Sequence, residues 1–399
     1  MNGSGHKPHS TLFSRASILQ LVCDLLATEL ARSRGRSSTA LGAVGWNEAT
    51  ILGEGGLDLD SLERLDASSA LSEFFHLSDY GAEDYLLTLP KLGDWCDLVA
   101  QSLTVGSARL TFRTSGSTGV PKRCTHAVAD LAEEVASWAH MLGTVERIVS
   151  LVPSHHIYGT LFNVLLPDRL DIDVQRARGG VATVQRSKPG TLVIANPTLW
   201  THLARSCPAL PRGLIGISST APMPQALAEQ LVRQGLDQMI EIYGSSETGG
   251  LGYRLRPDIP YTLLDFWRHL GNGEVVRHGV DGLVRHMLMD HSTWYGDRNF
   301  QLEGRKDFAV QVGGTNVFPE RVRDMLLQHH DVVDAAVRLE PTRGRLKAFI
   351  VLRGDRQDDV SIEHIDSWCG TCLTDVERPR SFTIGREIPR DPMGKLADW

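Results

Sequence analysis

The chain has 399 residues, with 41 Lys and Arg set against 48 Asp and Glu for a formal charge of −7. At 42% hydrophobic and 22% charged it has the balance of a soluble protein with enough material for two or three compact domains. No broad basic stretch invites nucleic acid, and no apolar run approaches the ~18–20 residues of a membrane span.

The N-terminus, MNGSGHKPHSTLFSRASILQ, lacks a basic start, an unbroken apolar stretch and a small-residue cleavage site, so a cytoplasmic protein is expected. Residues 1–107 read as helical. Between residues 17 and 30, Ile18, Leu19, Val22, Leu25, Leu26 and Leu30 recur at helical spacing and form one apolar stripe. After the glycines at 53–56, Asp60 and Glu63 stand three apart, as in a capping box, and open the run SLERLDASSALSEFFHL. Shorter helical patterns cover 83–89 and 93–103, and four helices in sequence predict a small bundle.

Residues 108–303 alternate short apolar runs (110–112, 148–152, 191–195, 214–217 and 239–242) with helical stretches at 127–142 and 224–234. That alternation predicts a largely parallel α/β sheet, which takes its ligands at the carboxyl ends of its strands. From 304 onward a helix pattern at 319–329, a strand at 335–339, an apolar run at 346–352 and a helix at 362–373 predict a small α+β domain. Cys369 and Cys372 form a CxxC there. A structural zinc would need a second ligand pair, and none is apparent. A redox pair remains open, with two incidental thiols in a reducing compartment as the simpler reading.

Four motifs carry chemistry. Thr114-Ser115-Gly116-Ser117-Thr118-Gly119-Val120-Pro121-Lys122 follows the strand at 110–113; its glycines permit tight turns that converge backbone N–H groups on an anion, and its hydroxyls and lysine add donors. It is not a Walker A loop, and a Gly/Ser string alone is as often a surface loop. In Glu241-Ile242-Tyr243-Gly244-Ser245-Ser246-Glu247-Thr248, a carboxylate beside a Gly-Ser turn suits an oxygen-liganded Mg²⁺, and the tyrosine can stack on a base. Gly304-Arg305-Lys306-Asp307 comes next, followed by Gly313-Gly314. The last, Pro389-Arg390-Asp391-Pro392-Met393-Gly394-Lys395, lies at the chain end.

In this order the four motifs resemble those of the adenylate-forming superfamily of acyl- and aryl-CoA ligases, peptide-synthetase adenylation domains and luciferases. The phosphate loop TSGSTGxPK is matched in full. Tyr243 to Glu247 resembles YGxTE with serine for threonine, residues 304–307 match GRxD, and residues 389–395 resemble PxTxxGK with aspartate for threonine. Pro153-Ser154-His155-His156-Ile157-Tyr158-Gly159 is similar to the acyl-pocket segment ending HxxG, and Ser219-Thr220-Ala221-Pro222 to the adenine-wall turn. The resemblance covers residues 108–399 and implies an adenylate-forming ligase fold with a small mobile C-terminal domain.

It also implies roles. Ser115, Thr118 and Lys122 would cradle the β- and γ-phosphates of ATP, Glu247 would hold Mg²⁺, and Ser246 would approach the α-phosphate. Tyr243 would stack on adenine beside Thr220 and Ala221, while Asp297 would bind the ribose with Arg305 close by. Lys395 would bridge the carboxylate and α-phosphate during adenylation, and His156 would flank the acyl pocket near the incoming thiol. Asp307 would be the hinge, and rotation there would bring the Gly313-Gly314 segment to the thiol tunnel.

Three departures stand out. The stretch between Asp297 and Gly304 is short, Gln311 replaces a lysine common in CoA ligases, and the usual large N-terminal subdomain has no room. In its place, residues 56–65 (GLDLDSLERL) resemble the phosphopantetheine site of acyl carrier proteins, which implies a carrier-like section with Ser61 as a possible site of 4′-phosphopantetheine attachment. Asp58 stands where carriers usually have glycine, and Asp-Ser-Leu-Glu is also a good helix start. The expected reaction is ATP-dependent activation of a small carboxylic acid, a hydroxybenzoate-like aryl acid first, and transfer to CoA or an acyl carrier protein. A non-catalytic nucleotide-binding scaffold is the alternative, opposed by the presence of Lys395 and Glu247.

Overall fold

Secondary structure follows the apolar pattern along a computed structural model that describes residues 12–35, 45–104, 108–114, 122–176, 180–306, 308–340, 342–353, 362–389 and 399. These residues divide into two compact units. The first draws on Met1–Thr114, Arg123–Met287 and Trp294–Phe300; the second draws on Ser115–Lys122, Leu288–Thr293 and Gln301–Trp399.

Helix α1 (Arg15–Ser33) buries the stripe Ile18, Leu21, Val22, Leu26 and Leu30, and Ser14 caps it by accepting from the Ser17 amide. Helix α2 (Ser61–Phe75) opens on the expected capping box, with Asp60 and Glu63 each accepting from the other's backbone. A single turn, α3 (Glu83–Leu86), and α4 (Leu92–Leu103) complete the N-terminal helices. They belong to the same compact unit as the residues that follow them, because their apolar and polar faces are used against it. Strands β1 (Arg109–Thr114) and β2 (Lys122–Ala127) form a two-stranded sheet of their own. Glu73 on α2 receives both Arg113 and Arg123 through paired bonds of 2.6–3.0 Å, one arginine from each strand. His76 Nε2 lies 2.8 Å from Thr111 Oγ1 beside them.

Helix α5 (Val128–Leu142) leads into the main sheet. Its parallel part is β3 (Arg147–Ser150), β4 (Asp173–Arg176), β5 (Thr191–Ala195), β6 (Leu214–Ser218) and β7 (Leu236–Ser245), in the order β4-β3-β5-β6-β7. Every residue of β5 is buried, as a central parallel strand requires. The crossover from β3 to β4 holds α6 (Ile157–Thr160), a π-helical turn at Leu161–Leu165, and α7 (Leu166–Leu170). Helices α8 (Val181–Gln185), α9 (Pro197–Ser206) and α10 (Gln225–Arg233) form the other crossovers. Trp200, Leu203, Leu231 and Met239 pack in the core on these helices and strands.

Beyond β7 the sheet turns antiparallel with β8 (Gly249–Arg254) and β9 (Tyr261–Leu263), a part that the sequence reading did not separate. A three-stranded sheet follows, β10 (Arg268–Gly271), β11 (Glu274–Gly279) and β12 (Gly282–Met287). The hairpin β13 (Asp290–Tyr295) and β14 (Asn299–Arg305) then returns to the main sheet, where Phe300 pairs with Tyr261.

The second unit contains the hairpin β15 (Val310–Val312) and β16 (Thr315–Val317), turned by Gly313 and Gly314 at φ 60° and 86°. Helix α11 (Pro319–Leu326), strands β17 (Val332–Glu340) and β18 (Arg345–Leu352), helix α12 (Ile362–Cys372) and strand β19 (Ser381–Gly385) complete it. Val322, Leu326, Leu346, Ile350 and Ile365 form its core. Cys369 is buried in that core, its thiol pushed up to about 12 by burial, and Cys372 donates to the Trp368 carbonyl at 3.4 Å. Thiols held protonated in this way fit core residues rather than a reactive pair.

Candidate active site

Three of the motif segments leave the carboxyl ends of strands in the parallel part of the sheet. Residues 151–156 follow β3, residues 219–222 follow β6, and residues 246–248 follow β7. The folding of each segment explains its composition.

After β3, Gly159 at the start of α6 leaves no space for a side chain, since a Cβ there would lie 1.8 Å from the Pro153 carbonyl oxygen. Tyr158 is buried, with its hydroxyl 3.1 Å from the carbonyls of both Ala195 and Ile217 at the ends of β5 and β6. Thr160 Oγ1 donates to Ser154 O at 2.8 Å, and Asn163 Nδ2 to Val152 O at 3.0 Å. From α1, Asp24 Oδ2 accepts the Ser154 amide, and Thr28 Oγ1 lies 3.5 Å from His155 Nε2. The His155 and His156 rings are 4.2 Å apart. His156 exposes its surface to solvent, yet the surrounding protein holds its pKa below the ordinary histidine value, with Asp24 opposing.

After β6, Thr220 has φ 76°, a left-handed conformation that a β-branched residue rarely adopts. The segment is tied down on both sides. Ser219 Oγ donates to Ile242 O at 3.1 Å, and the Met223 amide donates to Glu241 Oε1 at 3.0 Å. Glu241 is buried and also accepts from Tyr261 OH at 2.6 Å and Arg254 Nε at 2.7 Å. One buried carboxylate thus joins the turn after β6 to β7, β8 and β9. Its place just before the Tyr243 motif was visible in the sequence, but its bonds to partners 13–20 residues away were not.

Tyr243 is half-buried on β7. Its ring lies 5.7 Å from both Tyr261 and Phe300, and Phe300 lies 4.8 Å from Trp294, which stacks on His269 at 3.6 Å. This aromatic row runs from Tyr243 to the hairpin whose exposed turn carries Asp297. Glu247 and Ser246 are half-buried in the turn between β7 and β8, where the Glu247 amide donates to Ser245 Oγ at 3.2 Å.

The other expected site residues are distributed as follows. Thr114 ends β1 and Lys122 begins β2, so Ser115, Gly116, Ser117, Thr118 and Gly119 join the two paired strands but lie outside the described residues. Asp307 and Lys395 also lie outside them. Arg305 is the last residue of β14. Gln311 on β15 donates to Asn316 Oδ1. Ser61 is exposed at the first position of α2. Asp58 takes φ 50°, the conformation a glycine would adopt there, and its Oδ1 accepts from the Gly55 amide at 3.0 Å.

The chain belongs to the AMP-binding enzyme family, matched at residues 109–266, with the AMP-binding enzyme C-terminal domain matched at 322–395. It is an AMP-forming acid–thiol ligase, and ATP is its co-substrate. A 4-coumarate–CoA ligase of Halorhodospira halophila is 37% identical over 384 residues, 95% of this chain and 98% of that protein. A 4-coumarate–CoA ligase of Rhodobacter capsulatus is 36% identical over 393 residues, 96% of this chain and all of that protein. Matches of this length include most of residues 1–107, so the section read as carrier-like is shared with proteins called CoA ligases. Among solved structures, an o-succinylbenzoate CoA synthetase from Bacillus subtilis shares the fold with TM-score 0.61 at 18% identity, covering 95% of this chain and 91% of that one. No helix among the described residues is long and apolar enough to cross a membrane.

Proposed function

We propose that the chain activates a small phenolic acid of the 4-coumarate type as its acyl-adenylate and transfers the acyl group to CoA. The observation that carries this is the similarity of 37% along nearly the whole of a relative called 4-coumarate–CoA ligase. The gathering of the His156, Thr220 and Glu247 segments at the carboxyl ends of β3, β6 and β7 supports it. This shifts the substrate from the hydroxybenzoate expected first to a phenolic acid with a longer acyl arm.

In this reading the carboxylate attacks the α-phosphate and pyrophosphate leaves. Two anions must approach, so the site has to supply positive charge and orientation. Lys395 bridges the carboxylate and α-phosphate, while Lys122 and the hydroxyls of Ser115 and Thr118 hold the β- and γ-phosphates. Tyr243, Thr220 and Ala221 bound the adenine, and Asp297 takes the ribose, with Arg305 close by. His156 flanks the acyl group where the thiol arrives. Glu247 lies in a turn where the Ser245 and Thr248 hydroxyls are 3.2 Å apart, and a carboxylate with neighbouring hydroxyls is the kind of oxygen donor set that suits Mg²⁺, which when bound would neutralise phosphate charge.

A carrier-protein acceptor is the second reading. It is favoured by the exposure of Ser61 at the start of α2 and by the glycine-like backbone of Asp58.

The test is ATP–pyrophosphate exchange with 4-coumarate, 4-hydroxybenzoate and a short aliphatic acid, followed by thioester formation with CoA. Exchange strongest with 4-coumarate, depressed by orders of magnitude in Lys395→Ala, is expected. Preference for 4-hydroxybenzoate overturns the substrate assignment. Thioester on a phosphopantetheinylated carrier but not on CoA overturns the acceptor.

A further inference from the structure

A carboxylate that the proposed chemistry does not use is buried against the start of β8, just beyond Glu247 in the chain. Glu134 on α5 is 1% exposed. Its Oε1 accepts from Trp138 Nε1 at 3.0 Å and from the Gly250 amide at 2.9 Å. Its two oxygens fill the space where side chains at the next turn would be. A Cβ built on Gly249 would lie 2.5 Å from Oε2, and one built on Gly250 would lie 2.5 Å from Oε1. Burial pushes the Glu134 carboxyl above the usual range, and the bonds from Trp138 and Gly250, with Arg277 nearby, pull it back. Burying such a group is costly, and an apolar residue would serve packing better. Its return must come from what it holds.

On the other side of the same turn, His126 Nε2 lies 2.7 Å from the Ser246 carbonyl oxygen. A carbonyl only accepts, so this nitrogen carries the proton. Burial lowers the ring's pKa from its ordinary value, which favours the neutral form, while the bond to Ser246 opposes it. The turn is also braced from within, since Thr248 Oγ1 accepts from the Ser245 amide at 3.1 Å. Ser246, Glu247 and Thr248 thus span the gap between two anchors supplied by residues more than a hundred positions earlier.

We infer that Glu134 and His126 are positioning residues that clamp the β7–β8 turn from its two ends and thereby hold the Glu247 carboxylate in place for the cation that accompanies ATP. The inference rests on the role proposed for Glu247. Removing partners that orient a metal ligand commonly weakens the metal by about 10–100-fold.

The experiment titrates Mg²⁺ by calorimetry into enzyme saturated with a non-hydrolysable ATP analogue, a readout independent of turnover, and measures beside it the Mg²⁺ concentration for half-maximal pyrophosphate exchange at fixed ATP and KM for the acid. Glu134→Ala and His126→Ala should each raise the Mg²⁺ requirement about tenfold and leave the acid KM within about twofold. Glu134→Gln, whose amide oxygen can still accept from Gly250, should restore the wild-type requirement. Glu247→Gln is the control. If it leaves the requirement unchanged, the role of Glu247 itself fails. If it raises the requirement while both alanine variants, shown folded by circular dichroism, keep the wild-type value, the clamp is overturned. Should Glu134→Ala fail to fold, His126→Ala alone decides.

Discussion

Asp24 Oδ2 accepts the Ser154 amide at 2.9 Å, so the first helix holds the backbone that presents His155 and His156, 130 residues later in the chain. The same carboxylate takes Gln20 Nε2 on its other oxygen at 2.7 Å, which fixes its rotamer along α1. Removing it should free the Ser154 segment without touching the nucleotide side. Asp24→Ala is expected to raise KM for the acid by about 10–100-fold, up to the roughly 100-fold that a small misplacement can cost in an active site. KM for ATP should stay near wild type. Steady-state kinetics with each substrate varied in turn checks this, and equal changes in both constants would sink the assignment.

The same contact shows where the sequence was legible and where it was not. The apolar periodicity of α1, the Asp60–Glu63 capping box and the strands β5 and β6 are local patterns, and they appear within three residues of expectation. The motif segments after β3, β6 and β7 were legible because glycines and hydroxyls cluster where the backbone turns sharply. The role of the N-terminal helices was not. Nothing in the composition of α1 or α2 says that Asp24 reaches Ser154 or that Glu73 takes both Arg113 and Arg123, because such pairings depend on tertiary placement rather than spacing. The antiparallel strands β8–β14 were missed for a related reason. Their partly exposed, polar-rich segments, such as β12 and β13, lack a continuous apolar run. The carrier-like resemblance of residues 56–65 drew on a helix start that a capping box also explains.

Thr220 offers a test of strain. A β-branched residue at φ 76° costs about 1–3 kcal/mol, while glycine there adds about 0.5–1 kcal/mol of unfolded-chain entropy. Thr220→Gly should therefore leave the unfolding free energy unchanged or raise it by up to about 2 kcal/mol. If the conformation serves the adenine wall, KM for ATP should rise in the same variant. Urea unfolding and ATP kinetics on one preparation separate the two effects. A clear loss of stability would show that Thr220 makes a compensating contact and is not strained.

His155 sets a pH dependence of known sign. Among the described residues its buried Nδ1 has no hydrogen-bond partner, and burial, then His156, push its pKa well below the ordinary value of about 6.5. Above that pH both folded and unfolded chains carry a neutral ring and the residue contributes no slope. Below it the unfolded chain takes up a proton that the folded protein refuses, so stability falls with pH, at up to about 1.4 kcal/mol per unit for this one group. The loss continues until the folded-state pKa is reached. His155→Gln removes the titrating ring, so its urea midpoint should decline less steeply than wild type between about pH 6.5 and pH 5. Parallel declines in the two proteins would mean that His155 is protonated in the folded state and that the segment before His156 is more open to water than its packing implies.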